Sequence, residues 1–522
     1  MSIIDFLPES IVNPVLGVFE SIPFARRLLS QQVIKKFATA APPRPRPFSL
    51  ATDGYTSWQT LTDTTFTGRH LPSSTKEFQS KLPEEQRVVD LMMRDDGEER
   101  LARDTSLLFP FFAQWFTDSF LRTDPSDYRK NQSNHAIDLC QIYGMDSTKT
   151  EMLRTKRGGP SNSQNGLLKS QLIDGEEYGE FLFERGEGGN AILKKEFLTL
   201  YDEVNFKRVF DDLTDEQRLR CFAVGLEHGN STLGNVLMNT LFLREHNRLA
   251  RLLKKTHSDW SGDQIFETAR NINIVLLLKI VVQDYVRHIS GFDVPREVTP
   301  GLAEEEDWYR TNWIAVEFNL LYRWHGLIPN SFRLGTDSIN SALMVNANEL
   351  FMETGVDQLV RDASKQKAGR IGLGQTPAFL RAVKEKTVRL ARKSNLKSYN
   401  DYRKHFSLDA FTDFDQLTSD SKLAKQLKTL YGSIDNVEYL VGLLAEDYAD
   451  REMMGELQLT MVAHDAFTHV LTNPLLAKRV FNKKTFSSEG MSEIADTNTL
   501  ADVIVRNSGI ADTREVSFKF KG

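Results

Sequence analysis

Two aromatic, largely apolar stretches of this chain carry polar side chains at spacings that could do chemistry. The first is Tyr322-Arg-Trp-His325, inside a run from Glu317 to Asn330. On a helix turning about 100° per residue, Tyr322 and His325 share one face. An imidazole on a buried helix can ligate iron, and a phenol one turn away can exchange an electron with such a centre. A histidine on an apolar helix also serves as a hydrogen-bonded core residue, and spacing alone leaves both readings open. The second stretch holds Gln114 and Asp118, four apart in the run LFPFFAQWFTDSFLR over 108–122. An unpaired carboxylate there would cost several kcal/mol, so Asp118 needs a raised pKa or a partner. It either faces a cofactor or pairs with another helix. A third stretch sets Arg244, Glu245, His246 and Asn247 in a row between sharp apolar flanks. Those flanks favour buried hydrogen bonds over a solvated face.

The elements that must position these residues are predominantly helical. Periodicity places helices at 108–122, 234–256, 266–290, 314–326, 348–361, 377–393 and 438–447. Strand signals are few. Gly, Pro, Ser and Asn make 155–170 a loop, and 367–374 is a second break. The first forty residues read as short amphipathic pieces interrupted by Pro8, Pro14 and Pro23, with Arg26, Arg27, Lys35 and Lys36 as a basic face. Such pieces lie in a membrane interface or dock on the protein's own surface. Pro42 to Pro47 (PPRPRP) is an extended connector behind them.

Composition narrows the function classes. The 522 residues are 40% hydrophobic with a net charge of −6, which excludes a disordered chain and argues against a nucleic-acid binder. Length alone suggests three or four domains, or one large helical one. Two cysteines form no disulfide framework, no secretory signal is evident, and a reducing compartment is favoured. The most apolar internal run, 272–282, falls far short of the roughly 20 residues of a membrane span. Ten histidines are spread too widely to suggest a zinc cluster. There is no GxSxG, HExxH, Walker or GxGxxG signature. The outlier is phenylalanine, 33 residues against 13 Tyr and 6 Trp, which suggests a Phe-rich core or a pocket for something apolar.

Taken together, the strings REHNR (244–248), EFNLLYRWHGLIP (317–329) and LFPFFAQWFTDSF (108–120) resemble the animal-type haem peroxidases, within them the cyclooxygenases and related fatty-acid dioxygenases. Tyr55-Thr-Ser-Trp58, 138–144, Ala368-Gly-Arg-Ile-Gly372, 399–405 and 430–435 match in order, so the resemblance spans about 50–510. It implies a mostly α fold with one large haem-peroxidase domain (42–522) behind a short amphipathic segment (1–41). That segment would associate peripherally with a membrane, and the protein would be cytoplasmic or held at a membrane's inner face. The resemblance further implies haem b with His325 as proximal ligand, Trp324 beside it, and Tyr322 as the radical that abstracts a substrate hydrogen. Lys35 or Lys36 would anchor a fatty-acid carboxylate, and Leu459, Val462 and Ala466 would line the substrate channel. A homodimer is compatible with it.

Three departures from the family pattern bear on function. Asp118 stands where the distal histidine is expected, with Gln114 kept, which puts peroxidase turnover in doubt. Ala466 replaces the channel serine and Val462 a channel glycine, which narrows the channel. The growth-factor-like disulfide module is absent. The reading that results is a haem-dependent dioxygenase that inserts O₂ into a fatty acid through a tyrosyl radical. A haem peroxidase or hydroxylase acting on a small aromatic donor, and a non-catalytic haem- or lipid-binding relative, are the alternatives.

Overall fold

Most of the helices form where the apolar periodicity places them. In the computed structural model, which describes residues 23–42, 46–49, 55–95, 98–155, 166–291, 296–449 and 452–521, Pro23–Ala38 (α1) is followed by Leu108–Asp118 (α2). Residues 1–22 of the expected amphipathic segment, 43–45 of the connector and 156–165 of the expected loop lie outside the described residues. Pro110 is the third residue of α2, where a missing N–H leaves no helical bond unmade. Every residue of α2 is buried except Gln114 and Asp118. At roughly 2–3 kcal/mol for each fully buried Phe, this helix is a main contributor to the core.

Leu233–Thr256 (α3) starts on Thr232, whose hydroxyl accepts from Asn235 N, and ends with Lys254 and Lys255 against the helix dipole. Gly234 lets α3 approach α2: a Cβ there would lie 2.9 Å from Phe111. Trp115 Nε1 donates to Asn239 Oδ1 at 2.8 Å, fixing the register between the two helices. Gly262–Ile280 (α4) runs through a wider turn at Val281–Tyr285 into Val286–Ile289, so the expected helix over 266–290 is continuous.

The helix expected over 314–326 is not. Val316–Leu321 (α5) ends at Tyr322, whose φ of −86° and ψ of 31° leave the helical region, and His325–Leu327 is a separate 3-10 turn. Side chains from elsewhere take the carbonyls that would have continued it. Gln458 Nε2 donates to Leu321 O at 2.9 Å and Lys384 Nζ to Arg323 O at 3.3 Å. Tyr322 and His325 therefore do not share a helix face.

Arg381–Lys393 (α6), Tyr399–His405 (α7) and Glu456–Leu471 (α8) complete the framework used below. The other expected helices appear as Tyr439–Ala445 and Asn348–Ser364, the latter kinked at Gly355, where φ is 76°. Strands among the described residues occur only as five antiparallel two-stranded pairs. One of them joins Lys367–Gly369, within the expected break, to Leu101–Ser106.

A single hydrophobic core links these elements and includes Ile34 and Ala38 of α1. α1 packs on α8, with the Phe37 and Phe467 rings 6.2 Å apart. It is one continuous helix docked on the body, yet Phe24 stays 73% exposed. No helix among the described residues is long and apolar enough to cross a membrane. Cys140 and Cys221 are both free and buried.

Candidate active site

The segment 322–325 is held from three sides. Tyr322 packs edge-on against Phe318, with ring centroids 5.1 Å apart, and against Trp324 at 4.5 Å. Trp324 in turn stacks on Phe109 of α2 at 6.4 Å, and Phe109 on Tyr285 at 5.1 Å. Beyond His325 the chain passes under the break at 367–374. A Cβ on Gly326 would lie 2.5 Å from Arg370 O, and one on Gly369 would lie 2.1 Å from Gly326 O. These two glycines let the backbones touch, which gives Ala368-Gly-Arg-Ile-Gly372 its structural purpose. Buried Arg94 closes the clamp, donating through Nη2 to Ile328 O at 3.0 Å and Gln375 O at 2.8 Å.

Arg323 Nη2 donates to Asn319 Oδ1 at 2.8 Å, but each residue of the segment keeps one side-chain polar atom outside the hydrogen-bond network. Tyr322 Oη, Arg323 Nε, Trp324 Nε1 and His325 Nδ1 are all buried and make no hydrogen bond. Burial pushes the Tyr322 phenol well above its ordinary pKa. It pushes the His325 imidazole well below its own, helped by the charges of Lys384 and Arg323. His325 is thus a neutral imidazole, the form that ligates a metal. Lys384, on α6, is driven down to about 7 by burial and by Arg323.

α2 carries one accessible notch. Gln114 is exposed and Asp118 half-buried, although every other residue of that helix is buried. Gln114 Oε1 accepts from Thr232 Oγ1 at 3.3 Å, and Asp118 Oδ2 accepts from Asn235 Nδ2 at 3.1 Å. Burial raises the Asp118 carboxyl to about 6, while Asn235, Arg122 and Arg323 oppose the rise. The sequence expectation of a raised pKa or a partner is met by both. The charge of Arg323 reaches Asp118 as well as His325. A neutral imidazole can ligate iron, and an acid near pH 6 can give or take a proton.

Leu459, Val462 and Ala466 lie on one face of α8, at successive spacings of three and four. Val462 has no exposed surface, Ala466 is 4% exposed and Leu459 is half-buried. The charge of Asp465, also on α8, reaches Tyr322, and His469 stacks on Phe318 at 5.5 Å. Lys35 and Lys36 lie on α1, the helix that packs on α8. Both are exposed on α1, and Lys35 pairs with Glu306 at 3.1 Å. Arg94, Gln458 and Lys384 support the segment without any sequence signal, since each lies far from it along the chain.

The sequence model of the animal haem peroxidase family matches residues 125–518. That span holds 322–325 and α8 and begins just past α2. The chain is 30% identical over 505 residues to prostaglandin G/H synthase 1 of Mus musculus, covering 94% of this chain and 79% of that protein. It is 29% identical over 507 residues to prostaglandin G/H synthase 2 of Equus caballus, covering 94% and 78%. Among solved structures, the fold is similar to fatty acid alpha-dioxygenase of Arabidopsis thaliana, with a TM-score of 0.67, 15% identity, and 96% and 91% of the chains covered. The corresponding enzyme of Oryza sativa gives 0.65 at 17% identity, covering 85% and 80%. Peroxidase A from Dictyostelium discoideum gives 0.65 at 16% identity, covering 91% and 99%.

Proposed function

The chain belongs to the animal haem peroxidase family, and on that premise we propose that it is a haem-dependent fatty-acid dioxygenase working through a radical on Tyr322. The observation that carries this reading is the buried Tyr322 hydroxyl, which has the Tyr285 phenol as its one polar neighbour and lies three residues from a His325 ring nitrogen without a hydrogen bond. The names of the relatives, prostaglandin G/H synthases and fatty acid alpha-dioxygenases, support an acyl substrate.

In this reading His325 holds haem b. The haem, when bound, supplies the one-electron oxidising equivalent. Tyr322 responds in a way set by its burial. With its phenolate strongly disfavoured, it gives up proton and electron together rather than ionising first. The phenoxyl radical takes a hydrogen atom from an acyl C–H, so that bond breaks and the Tyr322 O–H reforms. O₂ adds to the carbon radical, and the peroxyl radical takes the phenol hydrogen back. One fatty acid and one O₂ thus give one hydroperoxide, and the radical is regenerated.

Trp324 keeps the phenol ring in place, and Leu459, Val462 and Ala466 provide an apolar wall for the acyl chain. Lys35 and Lys36 meet the carboxylate at the protein surface. The exposed Phe24 and Leu28 of α1 rest in a membrane interface, so the protein works as a peripheral enzyme at a membrane's inner face.

Tyr322→Phe should abolish oxygenation of linoleate, read by mass spectrometry of the hydroperoxide, while the haem absorbance stays. Product formation at the unaltered rate would overturn the mechanism. A second reading, a peroxidase using a small aromatic donor, is favoured by the accessible Gln114–Asp118 notch. Turnover of a phenolic donor with H₂O₂, in the absence of any product from linoleate and O₂, would select it.

A further inference from the structure

A second group of buried polar atoms lacks partners, on the α8 side of the molecule. His70 follows a two-residue strand, and His464 and Asp465 lie near the middle of α8. His464 and Asp465 have no exposed surface and His70 has 6%. His70 Nε2, His464 Nε2 and both Asp465 oxygens make no hydrogen bond. One ligand atom from each of the three residues lies within 4.8 Å of the others. The wide sequence spread of the histidines hides this, because the fold joins residues separated by most of the chain.

We propose that His70 Nε2, His464 Nε2 and the Asp465 carboxylate form a binding site for a divalent transition-metal ion of the zinc type, separate from the haem iron. Buried polar atoms are nearly always satisfied, so one atom without a hydrogen bond from each of three residues, gathered within 4.8 Å, calls for a ligand. The tautomer is already set: His464 Nδ1 donates to Phe37 O at 3.0 Å, which leaves the lone pair on Nε2. A backbone carbonyl behind a ligating imidazole is the usual supporting contact. The His70 backbone N donates to Glu317 Oε1 at 3.1 Å, and its ring is walled by Phe406, His405 and His464. Asp465 is oriented by Arg310, whose Nη2 stands 3.6 Å from Oδ1 and is held by Thr468 Oγ1 at 2.9 Å. Oδ2 is thereby turned toward His70, 3.8 Å from its Nε2.

Charge selects a cation. The charges acting most on His70 are the carboxylates of Asp465 and Glu317 and the guanidinium of Arg310, an excess of negative charge that disfavours an anion. A proton shared between His70 and Asp465 is the competing arrangement. It fits less well, because 3.8 Å is too long for a hydrogen bond and His464 Nε2 would stay idle. Two imidazoles with one carboxylate are zinc-type donors, and zinc would displace the proton that Asp465 and Glu317 favour on His70. A tetrahedral shell with bonds of about 2.0–2.1 Å separates its ligands by about 3.4 Å, so binding would draw the three groups inward. It would also tie α8 to the segment carrying His70.

The test uses the full-length holoprotein, loaded with zinc and desalted. We expect about one zinc per chain and, at the zinc K-edge, imidazole scattering with a first shell near ~2.0–2.1 Å. Chelation should lower the unfolding midpoint by several degrees. His464→Gln and Asp465→Asn should each lose zinc at least tenfold while keeping the iron-to-chain ratio. Zinc far below stoichiometry in the wild type, or retained in both variants, overturns the proposal. Should the variants fail to fold, the wild-type edge spectrum and chelation shift decide it: no imidazole scattering and no shift overturns it. Zinc stoichiometry is read without reference to oxygenation, so the two readings fail separately.

Discussion

Residues 245–247 on α3 and 322–325 after α5 look alike as sequence, both being short polar strings inside apolar helical surroundings. The fold treats them in opposite ways. On α3 every side-chain nitrogen and oxygen from Glu245 to Asn247 has a partner. Glu245 accepts from Arg248, Arg506 and Asn507; His246 is bridged between Tyr143 Oη and Gly166 O; Asn247 joins Leu168 and Glu177. In 322–325 each of the four residues keeps a buried polar atom idle. A satisfied polar network specifies architecture, whereas an idle one is tolerated only where a ligand or a reaction uses it. The distinction lies in the partners, and these come from distant segments.

The strongest way to break the comparison is at His325. His325→Ala should cut haem retention on the order of 100-fold, with the Soret band lost from purified protein and the fold intact by circular dichroism. An unchanged Soret band would sink the ligand assignment. The same truncation on α3 should do the reverse. Glu245→Ala leaves two arginines and Asn507 facing a hole and should lower unfolding stability by about 3 kcal/mol, measured by denaturant titration. The haem bound per folded chain should not change. If Glu245→Ala instead emptied the haem site of folded protein, the division between the two strings would be wrong.

Much of this was legible from the residues. The long helices at 233–256 and 262–289, the buried hydrogen bonding of 244–247 and the perturbed Asp118 follow from periodicity and the cost of burying charge. The break at Tyr322 did not follow, because periodicity sees only neighbours along the chain. It cannot register that Gln458 and Lys384 capture the carbonyls of residues 321 and 323. Arg94 and the pairing of His70 with His464 were hidden for the same reason. Where an element's shape is decided by a single long-range hydrogen bond, no local pattern announces it.

The subtlest separation concerns two enclosed carboxylates. Burial raises Asp118 to about 6, whereas the arginines around Glu245 hold its carboxyl below the ordinary range. For Asp118 the folded pKa exceeds the unfolded one, so its stabilising contribution is full below about pH 4 and is lost as pH rises through 6. For Glu245 the sign is opposite: its contribution is present above the ordinary glutamate pKa and is lost as pH falls. Asp118→Asn, neutral and nearly isosteric, should therefore gain about 1–2 kcal/mol over wild type at pH 8, allowing for the accessible edge of the carboxyl. Most of that gain should vanish at pH 4.5. Thermal melts at the two pH values measure it as a shift of a degree or two. An equal shift at both would mean that Asp118 is not held as an acid. The notch on α2 would then be ordinary surface, with no proton to offer a bound peroxide.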